Sequence, residues 1–185
     1  MLNKKIEDAF NLQFNAEAYS AYLYLSMAAW FESRNLPGFA MWLKVQAQEE
    51  MTHALRFYNF IHARGGRVTL TAIETPPAEW NSPLQVFEET YKHEQKVTGL
   101  INNLVDLSQQ EHDHASDVFL QWFVNEQVEE ESNASKTVEK LKLAKDNPSA
   151  LLMLDTEMGT RVFLVPPVLA PTIGFGGLGA AGAAA

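Results

Sequence analysis

Residues 46–57 read QAQEEMTHALRF. The stretch sets Glu49, Glu50 and His53 inside an otherwise apolar helical segment. Glu50 and His53 stand three apart, so on a helix they project from one face. An acid and an imidazole on the face that should form a core need a reason, and the rest of the chain supplies one.

Outward from this stretch, proline and glycine punctuate the sequence. Neither occurs from Asn3 to Asn35, and LPGF at 36–39 then forces a turn. A second clean run, Phe39 to Arg64, ends at Gly65-Gly66, the expected signal just past a helix C-terminus. Residues 65–82, with Pro76 and Pro77, read as a long irregular crossing. Ser82-Pro83 looks like an N-cap with proline in the first turn, opening a third run to about Gln110. A polar break, EHDHAS, precedes a fourth run to about Asp146, and Asn147-Pro148 starts a fifth helix expected to end near Val165. Phe10, Phe14 and Tyr24 make one stripe on the first run, and Phe119 and Phe123 on the fourth, at helical spacing. Long helices joined short–long–short predict an all-α fold: a four-helix bundle with one long crossover plus a short fifth helix.

The polar residues within those stripes are regular. Glu50 comes 33 positions after Glu17, and Gln127 comes 33 after Glu94. Three further on from each second member stands another ligand-type residue, His53 after Glu50 and Glu130 after Gln127. If the two hairpins pack together, all six side chains meet at one level of the bundle. One such Glu is ordinarily solvated or paired, and one such His a satisfied core residue. Matched spacing on both hairpins is not explained that way. Four carboxylates cannot share a low-dielectric interior without raised pKa values or compensating cations. Two divalent ions would bring four positive charges, and a Glu from each of two helices plus a Glu-x-x-His from the others is the di-iron carboxylate arrangement. Oxygen donors with a single imidazole favour Fe, Mn or Zn in a partly open site over structural tetrahedral zinc.

Composition narrows the function. The chain has 185 residues, 46% apolar and 20% charged, which suits one soluble domain. A net charge of −9 with no basic run longer than Lys4-Lys5 argues against nucleic acid and favours cations. The absence of cysteine excludes disulfides, thiolate metal sites and cysteine nucleophiles. MLNKKIEDAF carries no apolar signal core, so the cytoplasm is the expected compartment.

AQEEMTH, ETYKHEQ and LQWFVNEQVEEE resemble the bacterial non-haem ferritins, iron-storing cages, over about residues 1–165. The resemblance implies a ferroxidase centre in which Glu17, Glu50 and His53 bind one iron, and Glu50, Glu94 and Glu130 the other, with Gln127 nearby. It implies a third iron site of Glu49, Glu126 and Glu129 with Glu130, and a tyrosine beside the centre, Tyr24. The implied activity is oxidation of Fe(II) by dioxygen or hydrogen peroxide. Ferric mineral would then be stored in a hollow homo-oligomer of twenty-four subunits.

Departures from related families sort the alternatives. Bacterioferritins carry a second Glu-x-x-His on the fourth helix, where this chain has Gln127-Val128-Glu129-Glu130; Met51, at the place of their haem ligand, reads as a packing residue, and haem is not expected. A DNA-protecting mini-ferritin would want a basic arm and an inter-subunit site. A soluble di-iron oxidase or peroxidase of lower oligomeric order is the other alternative. In animal ferritins two acids on the fourth helix line the threefold pores; Asp117 matches one, Leu120 stands at the second, and EHDH at 111–114 offers substitute ligands. Residues 162–185 carry no charge, but Pro166, Pro167, Pro171 and five glycines oppose a membrane span. The tail, 166–185, is expected to form an apolar plug or collar at a fourfold axis.

Overall fold

The computed structural model describes residues 2–145 and 147–164. The expected plug lies outside these residues. Among them there are five helices and no strand: α1 Lys4–Glu32, α2 Pro37–Ala63, α3 Pro83–Gln110, α4 His114–Ala144 and α5 Pro148–Met158.

Each helix starts where a side chain or a proline settles its orphan amides. Asn3 Oδ1 accepts from the Lys5 amide at 2.9 Å, and Ser82 Oγ from that of Gln85 at 3.1 Å. Asp113 caps α4 and Asn147 caps α5, while Pro37, Pro83 and Pro148 occupy first turns. Thus α2 begins at Pro37, slightly before the expected Phe39. Gly65 ends the second helix region with φ of +72°, a conformation glycine adopts without strain. The fifth helix stops at Met158, not near Val165: Gly159 follows it, and its amide closes onto the Asp155 carbonyl at 3.0 Å.

α1 packs on α2 and α3 on α4, α1 meets α3 across the bundle, and α5 closes one end against α2 and α4. The crossing between α2 and α3 is strapped along α1. Asn11 donates to the Arg67 carbonyl at 3.1 Å, Asn15 to that of Ala72 at 3.1 Å, and Ser26 to that of Pro77 at 2.6 Å. These fastenings span fifteen residues of α1, about 22 Å at 1.5 Å per residue.

Two separate apolar clusters fill the bundle. One holds Met27, Phe31, Phe39, Leu43 and Phe87; the other holds Ile6, Phe10, Phe57, Ile61, Ile101 and Phe123. On every long helix the segment between them carries the buried polar residues: Gln13 and Glu17, Gln46, Glu50 and His53, Glu94, then Gln127 and Glu130. The bundle therefore has a polar layer between two greasy ends. α5 is seated by Asp155, whose Oδ1 accepts from the Phe39 amide at 3.0 Å, at the positive end of α2. The contact requires Gly38, because a Cβ there would come within 1.6 Å of the Asp155 carbonyl oxygen.

Candidate di-metal centre

The long helices bring the polar layer to one level by their own pitch. Glu50 and His53 share a face of α2, and His53 Nδ1 lies 3.4 Å from Glu50 Oε2. Glu17 of α1, Glu50 and His53 present ligand-type atoms all within 4.8 Å of one another, and all three are buried. A second such group joins His53 to Glu126 and Glu130 of α4. Glu94 of α3 stands in neither group. The Tyr24 hydroxyl donates to its Oε1, while Gln127 donates to its Oε2 at 3.4 Å and to its backbone carbonyl at 3.2 Å. Gln127 thus turns its amide hydrogens toward Glu94 and orients that carboxylate.

The electrostatics follow from burial. Glu17, Glu50, Glu94 and Glu130 are each pushed up to about 8, chiefly by desolvation. Their mutual repulsion adds to this: Glu50 acts on Glu17 and on Glu94, Glu130 on Glu50, and Glu94 on Glu130. Burial and then the Glu94 charge drive the Tyr24 hydroxyl well above its ordinary value, so it stays a donor. Glu17 Oε2 is buried and receives no hydrogen bond. A carboxylate oxygen left that way in an apolar bundle is costly; a proton shared with Glu50 satisfies it in the apoprotein, and a cation would satisfy it once that proton leaves.

The acids next to the centre are arranged less uniformly. Glu126 lies 3.9 Å from His53 Nε2, and Glu129 is exposed on α4. Glu49 is held by the Arg161 guanidinium, close enough to His53, Glu126 and Glu129 for their charges to act on it. Burial raises the pKa of both Glu49 and Glu126. Met51 lies on the exposed face of α2. At the other end of α4, the acids of EHDH are engaged elsewhere. Glu111 accepts from Lys5 at 2.5 Å and Asn3 at 2.7 Å, and Asp113 pairs with Arg64 at 3.0 Å while capping the helix. Leu120 is fully buried in the apolar cluster of Phe10, Phe57 and Phe123, so its position faces the core and not an opening.

Sequence reading missed four contributors. Gln13 donates to Glu17 at 2.8 Å, and Gln46 donates to Glu50 at 3.1 Å and to Glu130 at 2.7 Å. Each glutamine stands four before its glutamate, so the 33-residue spacing of the ligands is repeated by their orienting amides. That regularity was available in the sequence. His93, held neutral by burial with its pKa lowered to about 4, lies behind Tyr24 with its Nε2 2.8 Å from Ser20 Oγ. Arg161, beyond α5, has no periodicity to announce it.

Known proteins share this fold. A family model for the ferritin-like domain matches residues 7–144. A bacterial non-heme ferritin of Bacteroides fragilis is 42% identical over 161 residues, covering 87% of this chain and 100% of its own. A bacterial non-heme ferritin of Staphylococcus aureus is 36% identical over 163 residues, 88% of this chain and 98% of its own. Among solved structures, an open pore ferritin from the hyperthermophilic archaeon Archaeoglobus fulgidus superposes with a TM-score of 0.87 at 52% identity, covering 88% of this chain and 100% of that one. An engineered closed form of the Archaeoglobus fulgidus ferritin gives a TM-score of 0.88 at the same identity.

Proposed function

Since this chain belongs to the ferritin family, whose activity is iron storage with oxidation of Fe(II), we propose that its oxidation centre is the buried layer of Glu17, Glu50, His53, Glu94 and Glu130. The reading is carried by the convergence of Glu17, Glu50 and His53 within 4.8 Å at full burial. Fe(II) is the substrate, and the donor set suits it: carboxylate oxygens with one imidazole, in a partly dry interior.

Glu17, Glu50 and His53 would hold one ion; Glu50 and Glu130, with Glu94 beside them, would hold the other. Two divalent ions balance four carboxylates, and binding drives off the protons that burial retains on them. Anionic oxygen donors favour the harder ferric ion, which draws the reaction toward oxidation. A pair of ferrous ions yields two electrons, enough to take one dioxygen to hydrogen peroxide with two protons. Tyr24 and Gln127 keep Glu94 oriented throughout.

A third iron position would use Glu126, Glu129 and Glu130, joined by Glu49 once it leaves Arg161. The family's cage habit and the long exposed helices support a hollow homo-oligomer, and we take its size as twenty-four subunits. No described helix is long and apolar enough to cross a membrane, and the compartment proposed is the cytoplasm.

The test is anaerobic loading of the apoprotein with Fe(II), followed by dioxygen, reading bound iron per subunit and the iron-to-oxygen ratio. Two ions oxidised rapidly per subunit are expected, in a particle that sediments as about two dozen chains. Sedimentation as a dimer would favour a small di-iron oxidase instead.

A further inference from the structure

The segment after α5 reaches back to the polar layer through one side chain. Arg161 Nη1 donates to Gln46 Oε1 at 2.7 Å, Nη2 donates to Glu49, and the guanidinium carbon lies 4.2 Å from the Trp42 ring centre. Trp42, Gln46 and Glu49 are four and three residues apart, so Arg161 lies along a single stripe of α2. Gln46 is completely buried. Its Nε2 donates to Glu50 and to Glu130, the carboxylates that come from different helices to the same place.

A primary amide can face two ways, and only one suits this position. Turned about, Gln46 would set its carbonyl oxygen against two carboxylates and its amide hydrogens against a guanidinium. The guanidinium contact is repulsive and in a buried site leaves donors facing donors, while the donors now given to Glu50 and Glu130 would be lost. Arg161 supplies the donor that fixes the carbonyl end, so the amide hydrogens stay on Glu50 and Glu130. Its planar fork grips Gln46 and Glu49 together, which a single ammonium does less well.

We propose that Arg161 is a positioning residue of the oxidation centre: through Gln46 it sets the orientation of Glu50 and Glu130, and so ties metal binding to the docking of the C-terminal segment. The proposal rests on the centre described above being the metal site. Arg161 touches no reacting atom. Its action is on the ligands' geometry before metal arrives.

The experiment is an anaerobic Co(II) titration of the full-length protein, followed by the visible ligand-field bands. Partners of metal ligands are worth about 10–100-fold in affinity. Arg161→Ala is therefore expected to raise the Co(II) dissociation constant about tenfold and to alter the bands. Arg161→Lys, which keeps the charge and loses the fork, should show most of that loss. Gln46→Leu should match it, and Arg161→Ala added to Gln46→Leu should cost nothing more, since both break one chain of contacts. Arg161→Ala or Arg161→Lys titrating as wild type, or costs that add in the double variant, would overturn the proposal. Sedimentation and circular dichroism confirm that each variant is assembled, and Arg161→Lys decides the matter if Arg161→Ala is not. Wild type that takes up no Co(II) would refute the centre itself and the proposal with it; wild type that binds while Arg161→Ala binds equally refutes only the role of Arg161.

Discussion

The hydroxyl of Tyr24 donates to the carboxylate of Glu94 within a fully buried layer. That single bond ties α1 to α3 beside the proposed metal ligands. It also explains why Glu94, alone among the four inner carboxylates, stands in neither of the two convergent groups. Replacing Tyr24 by Phe should leave the iron-binding stoichiometry intact, because no ligand is lost. Glu94 would lose the donor to its Oε1 and keep only Gln127, and multi-turnover oxidation should slow after the first ions are consumed. Stopped-flow oxidation over successive additions reads this; unchanged later turnovers would make Tyr24 a packing residue.

Glu50→Ala and His53→Ala each remove a proposed ligand from the convergent group. Loss of a partner to a ligand already costs about 10–100-fold, so loss of the ligand should lower initial oxidation by at least about a hundredfold. The apo cage should nevertheless assemble, and Glu50→Ala should be the steadier of the two, since it relieves the repulsion that Glu50 exerts on Glu17 and Glu94. A Glu50 variant that oxidises iron at the wild-type rate would remove it from the mechanism.

Glu126 and Glu49 should separate in their effects. Glu126 already shares a ligand group with His53 and Glu130, whereas Glu49 is bound to Arg161. Glu126→Ala should abolish the third ion per subunit while sparing the first rapid oxidation. Glu49→Ala should weaken that third ion less. Equilibrium Fe(II) counting in the absence of oxygen gives the answer, and a collapse of initial oxidation in either variant would contradict the division into centre and third position.

Four carboxylates ordinarily near 4.5 are raised to about 8 in the folded apoprotein. The folded state then holds more protons than the unfolded state between those values, so stability falls as pH rises. Their contribution is fully favourable below about 4.5 and is lost by about 8. Chemical denaturation of the iron-free protein at pH 5.5 and pH 8 should show this slope, and Glu50→Gln should flatten it. Metal binding has the opposite trend: fewer protons need displacing at higher pH, so Fe(II) should bind more tightly there. A stability rising from pH 5.5 to 8 in both proteins would mean the layer is not desolvated.

Much of the bundle was legible in the chain because helices announce their ends locally. Ser82, Pro83, Asn147, Pro148 and Gly65 act within a turn of where they stand. The buried polar layer was legible for a different reason: two hairpins repeat one spacing, and period alone places Glu17, Glu50, Glu94 and Glu130 inward. The misread parts depend on tertiary docking. Glu111 and Asp113 looked free as loop acids, but Lys5 and Arg64 arrive from distant helices. Arg161 reaches Gln46 only because α5 folds back on α2, an arrangement that no local pattern encodes.

That fold-back gives the last prediction, at Gly38. In isolation, Gly38→Ala would favour the first turn of α2 by up to about 1 kcal/mol in helix propensity. The added methyl, however, would come within 1.6 Å of the Asp155 carbonyl oxygen, a backbone atom with no rotamer to yield. Overpacking of that kind costs about 1–3 kcal/mol, which outweighs the propensity gain. α5 must therefore shift, and the Phe39 amide loses Asp155 Oδ1. Because Gly159 lies against the Gly38 backbone, at 3.2 Å from where its own Cβ would be to the Gly38 Cα, the displacement carries on into the segment bearing Arg161. Gly38→Ala should lower the thermal midpoint of the apoprotein and weaken Co(II) binding in the same direction as Arg161→Ala. A variant as stable as wild type would show that α5 has slack at this contact; a destabilised variant with unaltered Co(II) affinity would separate the docking of α5 from the centre.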